Sequence, residues 1–235
     1  MDTHLHHDHI ETHLKSSDLL RDVVIGMSDG LTVPFALAAG LSGAVDSSSI
    51  IVIAGIAEIA AGSIAMGLGG YLAGKTEQDH YASEVKREYY EVEHLRHKEI
   101  EETKEFFANI GLSKEIQEQA TQEIAQDKAR WVDFMMKYEL GLDKPDPKRA
   151  TKSALNIGLS YIAGGIIPLS PYFFIEGSTD ALKYSVVATL ICLFIFGYYK
   201  SKITGVNALW GAIRVTMIGA VAAAAAFGVA KLFES

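Results

Sequence analysis

The chain has 235 residues, 49% hydrophobic and 21% charged, with a formal net charge of −8, and its mean hydropathy is slightly positive. That mixture suits a membrane protein carrying one water-soluble insert. The acidic balance argues against nucleic acid as a partner and for cations, and the single cysteine, Cys192, excludes an intrachain disulfide.

Residues 1–18 are polar and hold five of the eight histidines, His4, His6, His7, His9 and His13. They read as a disordered tail with at most weak metal binding. The first twenty residues have no apolar core and contain Glu11 and Asp18, so no cleaved signal peptide is expected. Span one is predicted over about 22–44. It places Asp29 roughly two turns inside the apolar limit and Pro34 where it leaves a carbonyl near Gly30 unbonded. A carboxylate beside a weakened helical turn suits ion entry; the competing reading is an interfacial or capping Asp.

Span two, residues 50–74, is long enough to cross a hydrocarbon core of about 30 Å. It carries one charge, Glu58, near its middle. A carboxylate there must be protonated, paired or coordinating, so it is read first as functional; the competing reading is a hydrogen bond to another helix, with Met66 merely filling space. Met66 lies about 80° from Glu58 on the helical wheel, which offers a soft sulfur near a hard oxygen. A loop of about five residues, 45–49, makes spans one and two an antiparallel pair.

The span continues without Pro into an acidic insert, residues 77–148, where 18 Asp or Glu stand against 11 Lys or Arg, a net of −7. One helical stretch is predicted to end at Gly111, and a second to run from Ser113, an N-cap candidate, to Gly141. On a continuous helix Glu84, Glu88, Glu91, Glu99 and Glu102 share an arc of about 80°, and Glu88/Glu91 and Glu99/Glu102 are i,i+3 pairs able to hold one cation each. Glu88 and Glu99 would then be about 16 Å apart, so the pairs share an ion only if the chain turns near 93–98 or another segment joins them. No Gly or Pro marks such a turn. Met135 and Met136 stand i,i+4 and i,i+3 from Glu139, and mixed carboxylate and thioether ligands suit a borderline first-row ion such as Fe2+.

Span three is predicted over about 154–167, rich in Gly158, Gly164 and Gly165 for close helix contact; span four over 181–199; span five over 215–232, with Arg214 at its start read as snorkelling to the near surface, the competing reading being that it neutralises an intramembrane acid. The short loops sort by charge, Lys15, Arg21, Lys75, Lys148, Arg149, Lys152, Lys200 and Lys202 falling on one side. The positive-inside rule makes that side, with the N-terminus and insert, cytosolic. The expected fold is thus an all-α integral membrane protein of five transmembrane helices per chain plus a cytosolic helical metal-binding insert, with segments 1–18, 19–76, 77–148 and 149–235.

The segments 28–35 (SDGLTVPF) and 61–81 (AGSIAMGLGGYLAGKTEQDHY), together with the Glu-rich insert, resemble the plant vacuolar iron transporters, the branch with a cytosolic metal-binding domain. The resemblance covers essentially everything after the His-rich tail. It implies a homodimer in the vacuolar membrane, its C-terminus lumenal, exchanging cytosolic Fe2+ for lumenal protons. It puts the translocation residues on Asp29, Glu58 and Met66, and the cytosolic metal ligands on Glu88, Glu91, Glu99, Glu102, Met135, Met136 and Glu139. The expected cargo is Fe2+, with Mn2+, Zn2+ and Co2+ as alternatives; no prosthetic group and no enzymatic activity are expected. Gly70-x-x-x-Gly74 offers a close-packing face for the dimer. Two other readings compete: a broader divalent exporter carrying Mn2+, and a membrane-anchored metal sensor or buffer.

Overall fold

The computed structural model describes residues 18–233; His4, His6, His7, His9 and His13 lie outside them. Among the described residues there are eight α-helices: α1 (Asp18–Ala44), α2 (Ser48–His94), α3 (Arg96–Asn109), α4 (Lys114–Ile124), α5 (Lys128–Phe134), α6 (Arg149–Leu169), α7 (Ser178–Ile203) and α8 (Ala208–Phe233). A π-helical turn, Met135–Glu139, follows α5, and a 3-10 turn, Ser170–Phe173, follows α6. Five helical stretches are long and apolar enough to cross a membrane: α1, α2, α6 with its 3-10 turn, α7 and α8. The protein is an all-α membrane protein. Its chain forms two compact units, one of residues up to Gly70 and from Lys152 on, the other Tyr71–Thr151.

In the first unit α6 packs between α1 and α2 because small residues let main chains meet. A Cβ added at Gly164 would stand 2.9 Å from the Leu31 nitrogen of α1, and one at Gly165 would stand 2.7 Å from Ile59 of α2. The core around these contacts holds Ala38, Ile51, Ile59, Leu169, Tyr172 and Ala181, and a second cluster joins Phe35 and Ala39 of α1 to Ala223 of α8. Several of the polar groups inside are paired, as burial favours. The Tyr172 and Ser42 hydroxyls are 2.8 Å apart, Ser185 donates to the Pro168 carbonyl at 2.6 Å, and the buried Asp22 carboxylate accepts from Ser153 at 3.0 Å and from Asn156 at 3.3 Å. An isolated bridge between Ser47 and Gly177 brings the α1–α2 and α6–α7 connections to one end of this unit.

The chain corrects one sequence expectation here. Gly70 and Gly74 face α6 of the same chain: a Cβ at Gly70 would stand 2.6 Å from Ile157 Cδ1, and one at Gly74 would stand 2.7 Å from Ala150 Cα. The pair therefore does not supply a free face for a second copy. Because Gly164 meets backbone rather than a movable side chain, Gly164→Val is expected to cost several kcal/mol. Its measure is loss of the monodisperse detergent-solubilised peak, with Ala at the exposed Gly69, which has nothing within 4 Å, as the silent control.

In the second unit the predicted stops at Gly111 and Gly141 are present, both with positive φ (+89° and +64°), where glycine avoids the steric cost of a side chain. The predicted helix over 77–110 is broken at Leu95, and the one over 113–141 divides at Ala125–Asp127 and again at the π turn. Ser113 holds the N-cap position without a side-chain cap bond. Asp127 does cap, accepting from the Arg130 amide at 3.0 Å. A buried cluster of Val92, Ala125, Trp131, Val132, Met135 and Met136 holds these pieces together.

Candidate metal centre and membrane carboxylates

The break at Leu95 decides the geometry of the acidic unit. No local residue forces it; contacts on both sides do. Before the break Glu93 accepts from Lys128 at 2.7 Å. After it Arg96 donates to the Ala125 carbonyl at 3.0 Å and lies over the Trp131 ring, 4.9 Å from its centroid. Anchored this way, α3 folds back and brings Glu99 to the end of α2. Glu88, Glu91 and Glu99 then offer oxygens that all lie within 4.8 Å of one another, and so do Glu99, Glu102 and Glu139. The two triads share Glu99. Glu139 reaches the second through the π turn, whose signature bond runs from the Leu140 amide to the Met135 carbonyl at 3.1 Å; such turns recur at functional sites.

The cluster is short of positive charge. Lys98 pairs with Glu102 at 2.8 Å and Arg87 approaches Glu91 at 3.9 Å. Glu99 is 0% exposed and Glu88 2%, yet both oxygens of Glu99 and Oε2 of Glu88 accept no hydrogen bond. Burial first, then the charges of Glu102, Glu88, Glu91 and Glu139, push Glu99 up to about 8. Burial, then Glu139 and Glu91, push Glu88 up to about 7. Glu139 is raised by the same causes, burial ahead of Glu102. A buried carboxylate without a donor holds a proton or a cation; Glu88 and Glu99 are in that state, and with Glu91, Glu102 and Glu139 beside them the cluster could hold a divalent ion.

Met135 and Met136 are both 1% exposed and belong to the apolar cluster behind the acids. Packing against Trp131 and Val92 therefore accounts for part of their burial. Met135 also has a polar neighbour: its sulfur lies 3.4 Å from the Thr103 hydroxyl, one turn beyond Glu99.

In the first unit Glu58 is half-buried on α2. Its Oε1 accepts a hydrogen bond from the Tyr161 hydroxyl of α6, and its Oε2 is buried with no partner. Gly62, one turn on, leaves the space that the Tyr161 ring occupies. Gly30, next to Asp29, rests on the Tyr161 main chain. Asp29 itself lines a crevice of about 920 Å3 with Ser28, Thr32, Lys200, Asn207 and Arg214, whereas Glu58 and Met66 are not among its walls. Arg214 thus opens on the same space as Asp29. Met66 lies two turns beyond Glu58 on α2 and is half-buried.

Two residues of these sites escaped the sequence reading. Tyr161 is one aromatic in an apolar span, distinguished in sequence only by the glycines on facing helices. Trp131 carries no ligand atom; its part is to hold the turn at Leu95 through Arg96.

Comparison with known proteins gives these residues their context. The VIT family pattern matches residues 20–231. Vacuolar iron transporter 1 of Arabidopsis thaliana is 52% identical over 226 residues, spanning 96% of this chain and 90% of its own length. Vacuolar iron transporter 1 of Tulipa gesneriana is 50% identical over 228 residues, 97% of this chain and 92% of its own. Protein CCC1 of Saccharomyces cerevisiae is 40% identical over 223 residues, 91% of this chain and 69% of its own. With a family match spanning nearly all of its length and relatives named as transporters rather than enzymes, this chain belongs to the VIT family.

Proposed function

We propose that this protein moves Fe2+ from the cytosol into the vacuole in exchange for protons, and that residues 71–151 gather the ion on the cytosolic side. The observation that carries the reading is Glu58, a carboxylate inside an apolar helix whose one oxygen is held by Tyr161 while the other is buried and unbonded. Such a group holds a proton or a metal ion, and not both well, because coordination requires the deprotonated form. An acidic lumen then releases the metal by protonating its ligand. Iron and the vacuole come from the names of the relatives.

Asp29, in the crevice with Arg214, serves as the entry carboxylate, and Met66 as the soft partner of Glu58. The triads sharing Glu99 collect the ion, with Met135, Met136 and Glu139 completing a carboxylate and thioether set suited to Fe2+ over Mg2+ or Ca2+. The basic residues Lys75, Lys148, Arg149, Lys152, Lys200 and Lys202 favour the cytosolic placement of this unit. A homodimer is favoured because five helices per chain enclose little polar space alone.

The test is flux in sealed proteoliposomes with an acidic interior. Fe2+ entry accompanied by loss of the internal protons is the expected result. No flux, with the ion still bound by the protein, would replace transport by sensing or buffering, and Mn2+ entry at an equal rate would widen the cargo class.

A further inference from the structure

We infer that Thr103 is a positioning residue that sets the metal preference of the acidic cluster, by fixing the Met135 thioether beside Glu99. The inference rests on the metal-gathering role proposed for that cluster and deepens it. Thr103 is on α3, one turn past the acid that both triads share, and is 0% exposed. Its oxygen accepts from Trp131 Nε1 at 2.9 Å. The same oxygen lies 2.7 Å from the Glu99 carbonyl and 3.4 Å from Met135 Sδ. A threonine hydroxyl has one proton to give, and with the indole N–H already directed at the oxygen, that proton goes either to the carbonyl or to the sulfur. The carbonyl is the stronger acceptor and the thioether a weak one. With the proton shared unequally between the two, the sulfur is held by one lone pair and keeps the other free for an ion.

Methionine has three rotatable bonds and readily shifts to fill space. A soft donor on so pliant a side chain contributes to selectivity only if something fixes it. Here the fixing chain runs from Arg96, over the Trp131 ring at 4.9 Å, through the buried indole to Thr103 and on to the sulfur. Each member is a neighbour of the next, and none is itself a carboxylate. Thioether ligation favours borderline ions such as Zn2+ and Fe2+, whereas Mn2+ is satisfied by carboxylates and water. Loosening Met135 should therefore weaken one class of ion and spare the other.

The experiment titrates the full-length protein in detergent with Zn2+ and separately with Mn2+, for the wild type, Thr103→Val, Thr103→Ser and Met135→Leu. By the scale of outer-shell effects on metal affinity, Thr103→Val is expected to weaken Zn2+ about tenfold and Mn2+ by less than about twofold. Thr103→Ser, which keeps the hydroxyl, should restore the wild-type ratio, and Met135→Leu, which keeps the volume, should reproduce the valine ratio. Valine also leaves the Trp131 N–H without an acceptor, so absolute affinities can fall for structural reasons; the ratio of the two metals does not follow from that loss. If Thr103→Val fails to fold, Met135→Leu carries the same comparison, and an unchanged ratio in it overturns the inference. Equal weakening of both ions, or an unchanged ratio in Thr103→Val, does so as well. A wild type that binds neither ion would sink the gathering role and this inference together, whereas wild-type binding with an unchanged mutant ratio sinks this inference alone.

Discussion

Glu58→Gln is expected to abolish Fe2+ uptake and the coupled loss of protons together, in liposomes where the wild type shows both. The substitution keeps the size of the side chain and an oxygen to accept from Tyr161, so the helix contact between α2 and α6 should survive and the protein should solubilise normally. What it removes is the ability to change charge. A neutral amide neither attracts a divalent ion into an apolar span nor accepts a proton when the ion leaves. Breaking a buried charge interaction by deleting one partner costs roughly 3–5 kcal/mol, which at 1.36 kcal/mol per decade is at least about a hundredfold in rate. Tyr161→Phe separates the hydroxyl from the ring. The ring still fills the space opposite Gly62, and only the donor to Oε1 is lost, so transport should fall by about tenfold and remain coupled, the loss of one charge-assisted hydrogen bond. Retention of proton-coupled uptake in Glu58→Gln would remove the carboxylate from the mechanism and leave it as a helix-pairing residue.

The two sites differ in how much of them could be read in advance, and the difference is physical. Glu58 and Asp29 stood out because a charge in a span of apolar residues conflicts with its solvent, a local fact that one segment of sequence displays. Gly111 and Gly141 were legible for the same kind of reason, since backbone at φ of +89° and +64° selects glycine wherever it occurs. The meeting of Glu88 with Glu99 was not legible. The turn between them at Leu95 has no breaker and is imposed by Arg96, Trp131 and Lys128, up to about 35 residues away in the chain. The π turn at Met135–Glu139 was invisible for a related reason: the spacing of Met135 and Glu139 fits an α-helix equally well. Gly70 and Gly74 show the opposite failure. Their spacing truly marks a close approach, but spacing alone does not say to which helix, and α6 of the same chain takes the place reserved for a second copy.

Glu99→Gln should act on the acidic unit in two opposite directions. Glu99 belongs to both triads, so its loss removes an anionic ligand from each, and affinity for Fe2+ or Zn2+ is expected to fall at least about a hundredfold at pH 8, the scale of an uncompensated buried charge. The metal-free protein, however, should become more stable at that pH. Glu99 and Glu88 have folded values of about 8 and about 7 against an ordinary 4.5, so between about pH 4.5 and 8 the folded chain holds more protons than the unfolded one. Stability is then fully present below about 4.5 and is lost as pH rises through the folded values. A neutral Gln at 99 escapes that loss and also relieves the repulsion that raises Glu88. Metal binding in the wild type has the converse dependence, weakening as pH falls from about 8 to 6 because protons compete for the same oxygens. The emission of Trp131, 0% exposed and packed against the turn, reports unfolding of this unit in a Trp210→Phe background, and metal titrations at pH 6 and 8 report binding. A Glu99→Gln protein that loses affinity without gaining apo stability at pH 8 would mean that Glu99 is already neutral there, held by a proton rather than strained by charge. One that gains stability while keeping its affinity would mean that the ion is gathered by Glu88, Glu91, Glu102 and Glu139 without the acid that joins them.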